Sequence, residues 1–174
     1  VTSAATRIGY SSRVQVFLIR HAEAIDETLS LRDPHRHLTA HGRAQARALG
    51  ERLRWHDCEP TRILTSPLVR AVQTAELIAV ALGAELLVES DLGLGPDADP
   101  RDVAQALRSS PSDAIVVVVG HEPNLSALGA LLANDADFPA LAKAEAVRID
   151  DGRLKWRFAW NADAPTPYSP SSDA

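Results

Sequence analysis

Cysteine is almost missing from this chain. Cys58 is the single one in 174 residues, so neither an intrachain disulfide nor a CxxC site can form. A reducing, cytoplasmic setting is expected. Long apolar runs are missing too. None reaches the roughly 18 residues that span a bilayer, and no membrane partner is expected. The opening stretch, VTSAATRIGYSSR, lacks the apolar centre of a secretion signal. Methionine is absent altogether, and a chain that begins at Val1 is expected to have been processed or trimmed. Nor is there a long basic patch. Lys and Arg number 18 against 23 Asp and Glu, for a net charge of -5. With both signs spread along the chain, nucleic acid is a poor partner.

What is present suits one globular domain with a full core, at 45% hydrophobic and 24% charged residues. There are no internal repeats. Residues 1–12 carry Ser, Thr and Gly without periodicity and read as a flexible arm. Residues 13–160 read as the single domain, and the Pro- and Ser-rich residues 161–174 as a flexible tail.

Within the domain, VQVFLIRH at 14–21 is a short apolar run with Arg20 and His21 at its end, the pattern of a buried strand. Residues 22–37 form an irregular loop of unusual length, which suggests a role in function. Thr39 is placed to cap a helix that runs to about Trp55. Gly42 near its start suggests close approach to the neighbouring loop. RILTS at 62–66 reads as a strand and Pro67 as the first turn of the next helix. That helix has an apolar stripe through Leu68, Val72, Ala75, Ala79 and Leu82 and stops at Gly83. ELLVE at 85–89 is a third strand, followed by a Gly- and Asp-rich loop and a short helix over 101–109. AIVVVVG at 114–120 reads as a central parallel strand buried on both faces, with His121 just past it and a helix over 124–132. Asp151-Gly152 joins two strands, 145–150 and 154–160, as a hairpin toward the sheet edge. The order implies an α/β chain, a three-layer α/β/α sandwich on a mostly parallel central sheet.

Strand ends of such a sheet are where ligands bind. Three of them deliver Arg20 and His21, Ser66 with Arg70 after it, and His121. Two arginines and two histidines without an acidic cluster suit an anion. The guanidinium fork matches phosphate oxygens, and a helix start at 67–70 adds amide donors. Imidazole attacks phosphorus near neutral pH. One histidine would then carry a phosphoryl group. The other would join the arginines in holding the equatorial oxygens, before water releases phosphate. The arginines supply the positive charge, so no metal and no cofactor is expected.

Four stretches, FLIRHAEA at 17–24, LTAHGRAQA at 38–46, LTSPLVRAVQTAE at 64–76 and VVGHEPNLS at 118–126, resemble the histidine phosphatase superfamily in order and spacing. That is the phosphoglycerate-mutase-like fold, and the short SixA-type phosphohistidine phosphatases are the nearest branch. The resemblance implies that His21 is the nucleophile, that Arg20 and Arg70 bind phosphate, and that His121 is the second histidine. Ser66 matches a motif position near the phosphate. Arg36, or His37 beside it, falls where the family loop turns back over the pocket. Many members place a glutamate in the loop after the third strand as general acid. That position falls here at about Leu94, and no glutamate follows until Glu122. The SixA-type branch shares the gap. Asp91, Asp97 and Asp99 are nearby substitutes, and Glu122 suits the rim better than acid duty. A phosphoramidate departs as imidazole, a better leaving group than an alkoxide once protonated, so the gap favours a P–N bond.

The expected activity is therefore metal-independent removal of phosphate from phosphohistidine on a protein, with a histidine-phosphotransfer domain as a possible partner. The alternative is a phosphomonoesterase acting on a small phosphate ester. A mutase would need an enclosing insertion, and a non-catalytic phosphate-binding module would be expected to lose His21 or Arg70. His35, His37 and His41 could be taken for metal ligands, but no cysteine or carboxylate completes them in an obvious geometry, although Asp33 is close. Cys58 has no evident partner and reads as a small hydrophobe.

Overall fold

The computed structural model describes residues 14–169; the arm expected over residues 1–12 lies outside them. The strands are β1 (Gln15–Arg20), β2 (Arg62–Thr65), β3 (Val88–Ser90), β4 (Ile115–Gly120), β5 (Glu145–Asp150), β6 (Arg153–Ala159) and β7 (Thr166–Pro167). The helices are α1 (Ala40–Arg54), α2 (Val69–Leu82), α3 (Pro100–Arg108) and α4 (Asn124–Ala133). One seven-stranded sheet runs β3-β2-β4-β1-β5-β6-β7. The four strands from β3 to β1 are mutually parallel, and β5, β6 and β7 extend the sheet by antiparallel pairing.

Alternation along the strands divides the core in two. Val16, Leu18, Val116, Val118 and Leu64 face α3 and α4 and pack with Val103, Leu107, Leu125 and Leu128. Phe17, Ile19, Val117, Val119 and Ile63 face α1 and α2 and pack with Leu49, Leu53, Ala75 and Ile78. β1 and β4 are buried on both faces, which is why their sequences are apolar without a break. This is the three-layer α/β/α sandwich expected.

Local chemistry sets the ends of the elements. Thr39 Oγ1 accepts from the Gly42 amide at 2.9 Å and caps α1. Gly83, left-handed at φ 70°, ends α2. Asp151 and Gly152 both have positive φ, 49° and 72°, as a two-residue hairpin turn between twisted strands requires.

Three boundaries differ from the sequence reading. α2 begins at Val69, because Pro67 is followed by an extended Leu68 (ψ 137°) that acts as the cap. Arg70 is therefore the second helical residue. β3 is displaced to Val88–Ser90, pairing only with Ile63–Thr65 of the four-residue β2; an edge strand is no longer than the partner ladder allows. The tail expected to be flexible from Asn161 instead lies along β6 as far as Tyr168, whose amide bonds Lys155 O and whose hydroxyl bonds Asp135. Both outer strands are short. β3 carries Glu89 in an ion pair with Arg62 on its neighbour, and β7 ends in Pro167.

Candidate active site

β1 ends at Arg20 and the chain turns at His21. The His21 amide continues the ladder by donating to Gly120 O at 3.0 Å. Its ring is fixed from within, since Nδ1–H donates to Ala22 O at 2.7 Å. Nε2 thereby keeps the lone pair of the ring. Thr74 Oγ1 accepts from the Ala22 amide at 3.1 Å and donates to Arg70 O at 2.7 Å, so α2 and the turn after β1 are pinned together. From the other side the Ala144 amide, on a residue with φ 52°, donates to the carbonyls of Arg20 and His21 at 3.2 and 3.3 Å. α1 completes the support. Thr39 N donates to Glu23 O at 3.1 Å, and Gln45 Oε1 accepts from Glu23 N at 2.9 Å. A Cβ on Gly42 would lie 1.9 Å from Glu23 O, so only glycine lets α1 lie this close to the loop after His21.

His21, Arg70, His121 and Ser66 are all buried, and Arg20 partly so. The two imidazoles face each other with centroids 5.1 Å apart. Arg70 Nε donates toward His21 Nε2 at 3.3 Å. Ser66 Oγ lies 2.7 Å from His121 Nε2 and accepts from the Leu68 amide at 3.3 Å. When the Ser66 hydroxyl donates to His121 Nε2, Nδ1 is the donor of that ring. Arg20 Nη1 donates to Leu141 O at 3.0 Å. Two buried nitrogens in the site, Arg20 Nε and His121 Nδ1, have no partner among the described residues. Folded proteins rarely leave such groups unpaired, and an oxyanion would satisfy both.

Electrostatics keeps both rings neutral. Burial, then Arg70, Arg20 and Lys143, lower His21 to a pKa of about 4 against the bond to Ala22 O. Burial, then His21 and Arg70, lower His121 to about 3. An unprotonated imidazole nitrogen is the state that can attack phosphorus.

The remaining candidates lie apart or serve the scaffold. Asp91 caps the turn at Leu92–Leu94 by accepting from Gly93 N at 2.8 Å. Asp97 is exposed, and Asp99 caps α3 and pairs with Arg101 at 2.7 Å. Glu122 is committed through both oxygens, to Leu141 N at 2.9 Å and Ser126 Oγ at 2.6 Å. It braces the segment that Arg20 binds. Leu94, where the resemblance would put an acid, is buried in the core with Val103. Arg36 bonds Ile25 O at 2.6 Å and Asp33 Oδ1 at 2.9 Å. Asp33 itself, which the sequence reading gave no part in the site, bonds Arg70 through its carbonyl and its carboxylate, at 2.9 and 3.2 Å. Its only local signal was the Asp-Pro that opens a short turn at 33–35. His35, His37 and His41 are all exposed, the last with its ring edge-on to Trp160. Cys58 is buried and its thiol pushed up to about 12 by that burial, which makes it inert.

Comparison with known proteins follows the same lines. The family model for the histidine phosphatase superfamily (branch 1) matches residues 16–93. The phosphohistidine phosphatase SixA of Escherichia coli (strain K12) is 28% identical over 153 residues, 84% of this chain and 94% of that protein. A phosphohistidine phosphatase SixA homolog of Haemophilus influenzae is 31% identical over 119 residues, 63% of this chain and 71% of that one. Among solved structures, that of the protein histidine phosphatase SixA complexed with tungstate superposes with a TM-score of 0.77 at 27% identity. The match covers 84% of this chain and 97% of that one. A mycobacterial glucosyl-3-phosphoglycerate phosphatase shares the fold at a TM-score of 0.61 and 22% identity, over 87% of this chain and 100% of that one.

Proposed function

This chain belongs to the histidine phosphatase superfamily and is a histidine-nucleophile phosphatase; on that premise we propose that it removes phosphate from phosphohistidine carried by a protein, with His21 as the nucleophile. His21 Nε2 attacks phosphorus in line with the departing group. Arg20 and Arg70 hold the equatorial oxygens, and His121 donates through Nδ1 with Ser66 fixing its ring. The observation that carries the roles is the pair of buried, unpartnered nitrogens, Arg20 Nε and His121 Nδ1, beside a neutral His21. They match the oxygens of a phosphoryl group as charge shifts in the transition state. Three of the five N–H groups of Arg70 are engaged, which leaves two for the same oxygens. Water then cleaves the phosphohistidine on His21.

Two features favour a P–N bond on a protein. Leu94 offers no proton to an alkoxide, whereas a protonated imidazole departs without one. Between α2 and β4 the chain spends its length on β3, one turn and α3. No inserted segment there encloses a small metabolite, so the site offers few contacts beyond the phosphate.

Intact-mass analysis tests the covalent step. Wild type mixed with a phosphohistidine protein shows an acid-labile phosphoryl adduct, and His21→Ala shows neither adduct nor turnover. Full activity in His21→Ala would overturn the assignment. Substrate class is read from kcat/KM for a phosphohistidine protein against a panel of sugar and nucleotide phosphates. An alkyl phosphate that wins tenfold, about 1.4 kcal/mol of transition-state preference, would replace this reading with a small-molecule phosphomonoesterase.

A further inference from the structure

Asp33 stands on the site without a part in the chemistry above. The Arg70 guanidinium touches His21 Nε2 through Nε at 3.3 Å and Asp33 Oδ2 through Nη2 at 3.2 Å. One planar group thus carries the attacking nitrogen at one edge and a carboxylate at the other. The Asp33 side chain is 39% exposed against 7% for Arg70, so the carboxylate lies on the solvent side of the guanidinium. It is held in place from behind, because Arg36 bonds Oδ1 and is itself tied to Ile25 O. Bonding to Arg36 and Arg70 keeps its carboxyl below the usual range despite some burial, and its charge is felt at His121 across the pocket.

A fixed carboxylate beside a phosphate site repels the substrate's own charge. That cost is offset only by a substrate that brings a hydrogen-bond donor, preferably a cationic one, to the same place. Alkyl phosphates of sugars bring hydroxyls. Phosphohistidine brings the ring nitrogen not bonded to phosphorus, which takes a proton near neutral pH.

We propose that Asp33 is a specificity-determining residue that accepts a hydrogen bond from the distal ring N–H of the substrate's phosphohistidine. The proposal rests on the reading of a phosphohistidine substrate and gives it a structural cause. In the step itself the His21 Nε2 lone pair forms the new N–P bond. The substrate's P–N bond breaks and its electron pair stays on the ring nitrogen. The ring, already protonated on its other nitrogen, leaves as neutral imidazole. No proton moves in that step; Asp33 keeps the proton on the distal nitrogen, and without it the ring would have to leave as imidazolate. The site thereby manages without a general acid at Leu94. The same carboxylate discriminates against esters that bring no such donor, so it acts in both directions.

The test is a ratio, measured on the full chain at pH 8. The ratio is kcat/KM for a phosphohistidine-bearing phosphotransfer domain over kcat/KM for p-nitrophenyl phosphate, whose leaving group needs no proton. In Asp33→Asn the ratio falls at least tenfold. Asp33→Ser, which also keeps the main-chain bond to Arg70, gives the same fall, and Asp33→Glu recovers part of it. Tungstate binds Asp33→Asn no more weakly than wild type, which establishes that the arginines are still in place. A ratio that stays at the wild-type value in both neutral variants means that Asp33 only clamps Arg70 and overturns the proposal. The two readings fail differently. If wild type prefers an alkyl phosphate, the phosphohistidine reading falls and this inference with it. If wild type prefers phosphohistidine and the variants keep that preference, only this inference falls.

Discussion

His21 and His121 are buried as neutral rings, and that makes acid their weak point. Their pKa values stand at about 4 and about 3 in the folded chain against about 6.5 unfolded. Between those limits the unfolded chain binds more protons. Stability is therefore full above about pH 6.5 and is lost as pH falls toward 4 and then 3. Each unit of depression is worth about 1.4 kcal/mol. The urea midpoint should drop between pH 7 and pH 4.5, and the double variant His21→Gln/His121→Gln should flatten that slope. An unchanged slope would place the acid sensitivity elsewhere. NMR titration should show neither ring protonating between pH 8 and 5.5. At this scale Arg20, His21, Arg70 and His121 were legible because each adjoins a strand end or opens the helix after one, and the sequence marks both. Asp33 was not legible. Its partner Arg70 lies 37 positions away, and the loop that carries Asp33 has no period. Asp99 was proposed as an acid from proximity alone, and its place is set by a helix start.

Gly42 shows what one atom does to the arrangement of elements. Alanine would gain about 1 kcal/mol of helix propensity, yet its Cβ would meet the Glu23 backbone at 1.9 Å. Overpacking against rigid main chain costs about 1–3 kcal/mol, so Gly42→Ala should be net destabilising in urea. It should also lower kcat, since Glu23 is two residues beyond His21 on the same turn. A stabilised, fully active variant would show that α1 is free to move. The close approach was legible from a glycine in the first turn of a capped helix. The start of α2 was harder to read. Pro67 permits a helix at that point, and only the extended Leu68 shows that the turn is spent two residues later. The length of β3 was hidden for another reason, because it is set by β2 rather than by its own residues.

At the scale of the molecule, the site sits on the ends of β1, β2 and β4, three adjacent strands of the sheet. An oxyanion bound there is lost when the sheet unfolds. Tungstate at 100 times its dissociation constant should add about 2.7 kcal/mol, which for a domain of this size raises Tm by about 5–11 °C. Arg70→Gln should abolish the shift; a shift that survives would place the anion elsewhere. The parallel half of the fold was legible from apolar runs alternating with helical stripes. β7 was not, because two residues have no pattern and their pairing is lent by β6. That borrowed strand has a consequence for how partners can meet this protein. At one margin β7 offers two residues, one of them a proline with no amide to give; at the other, β3 offers three, with Glu89 tied to Arg62. Neither margin is a template on which a foreign strand could lengthen. On the proposed function, a phosphorylated partner protein is then read by its surface, side chain against side chain. Within the described residues, stacking of copies edge to edge into a continuous sheet is disfavoured even at high concentration.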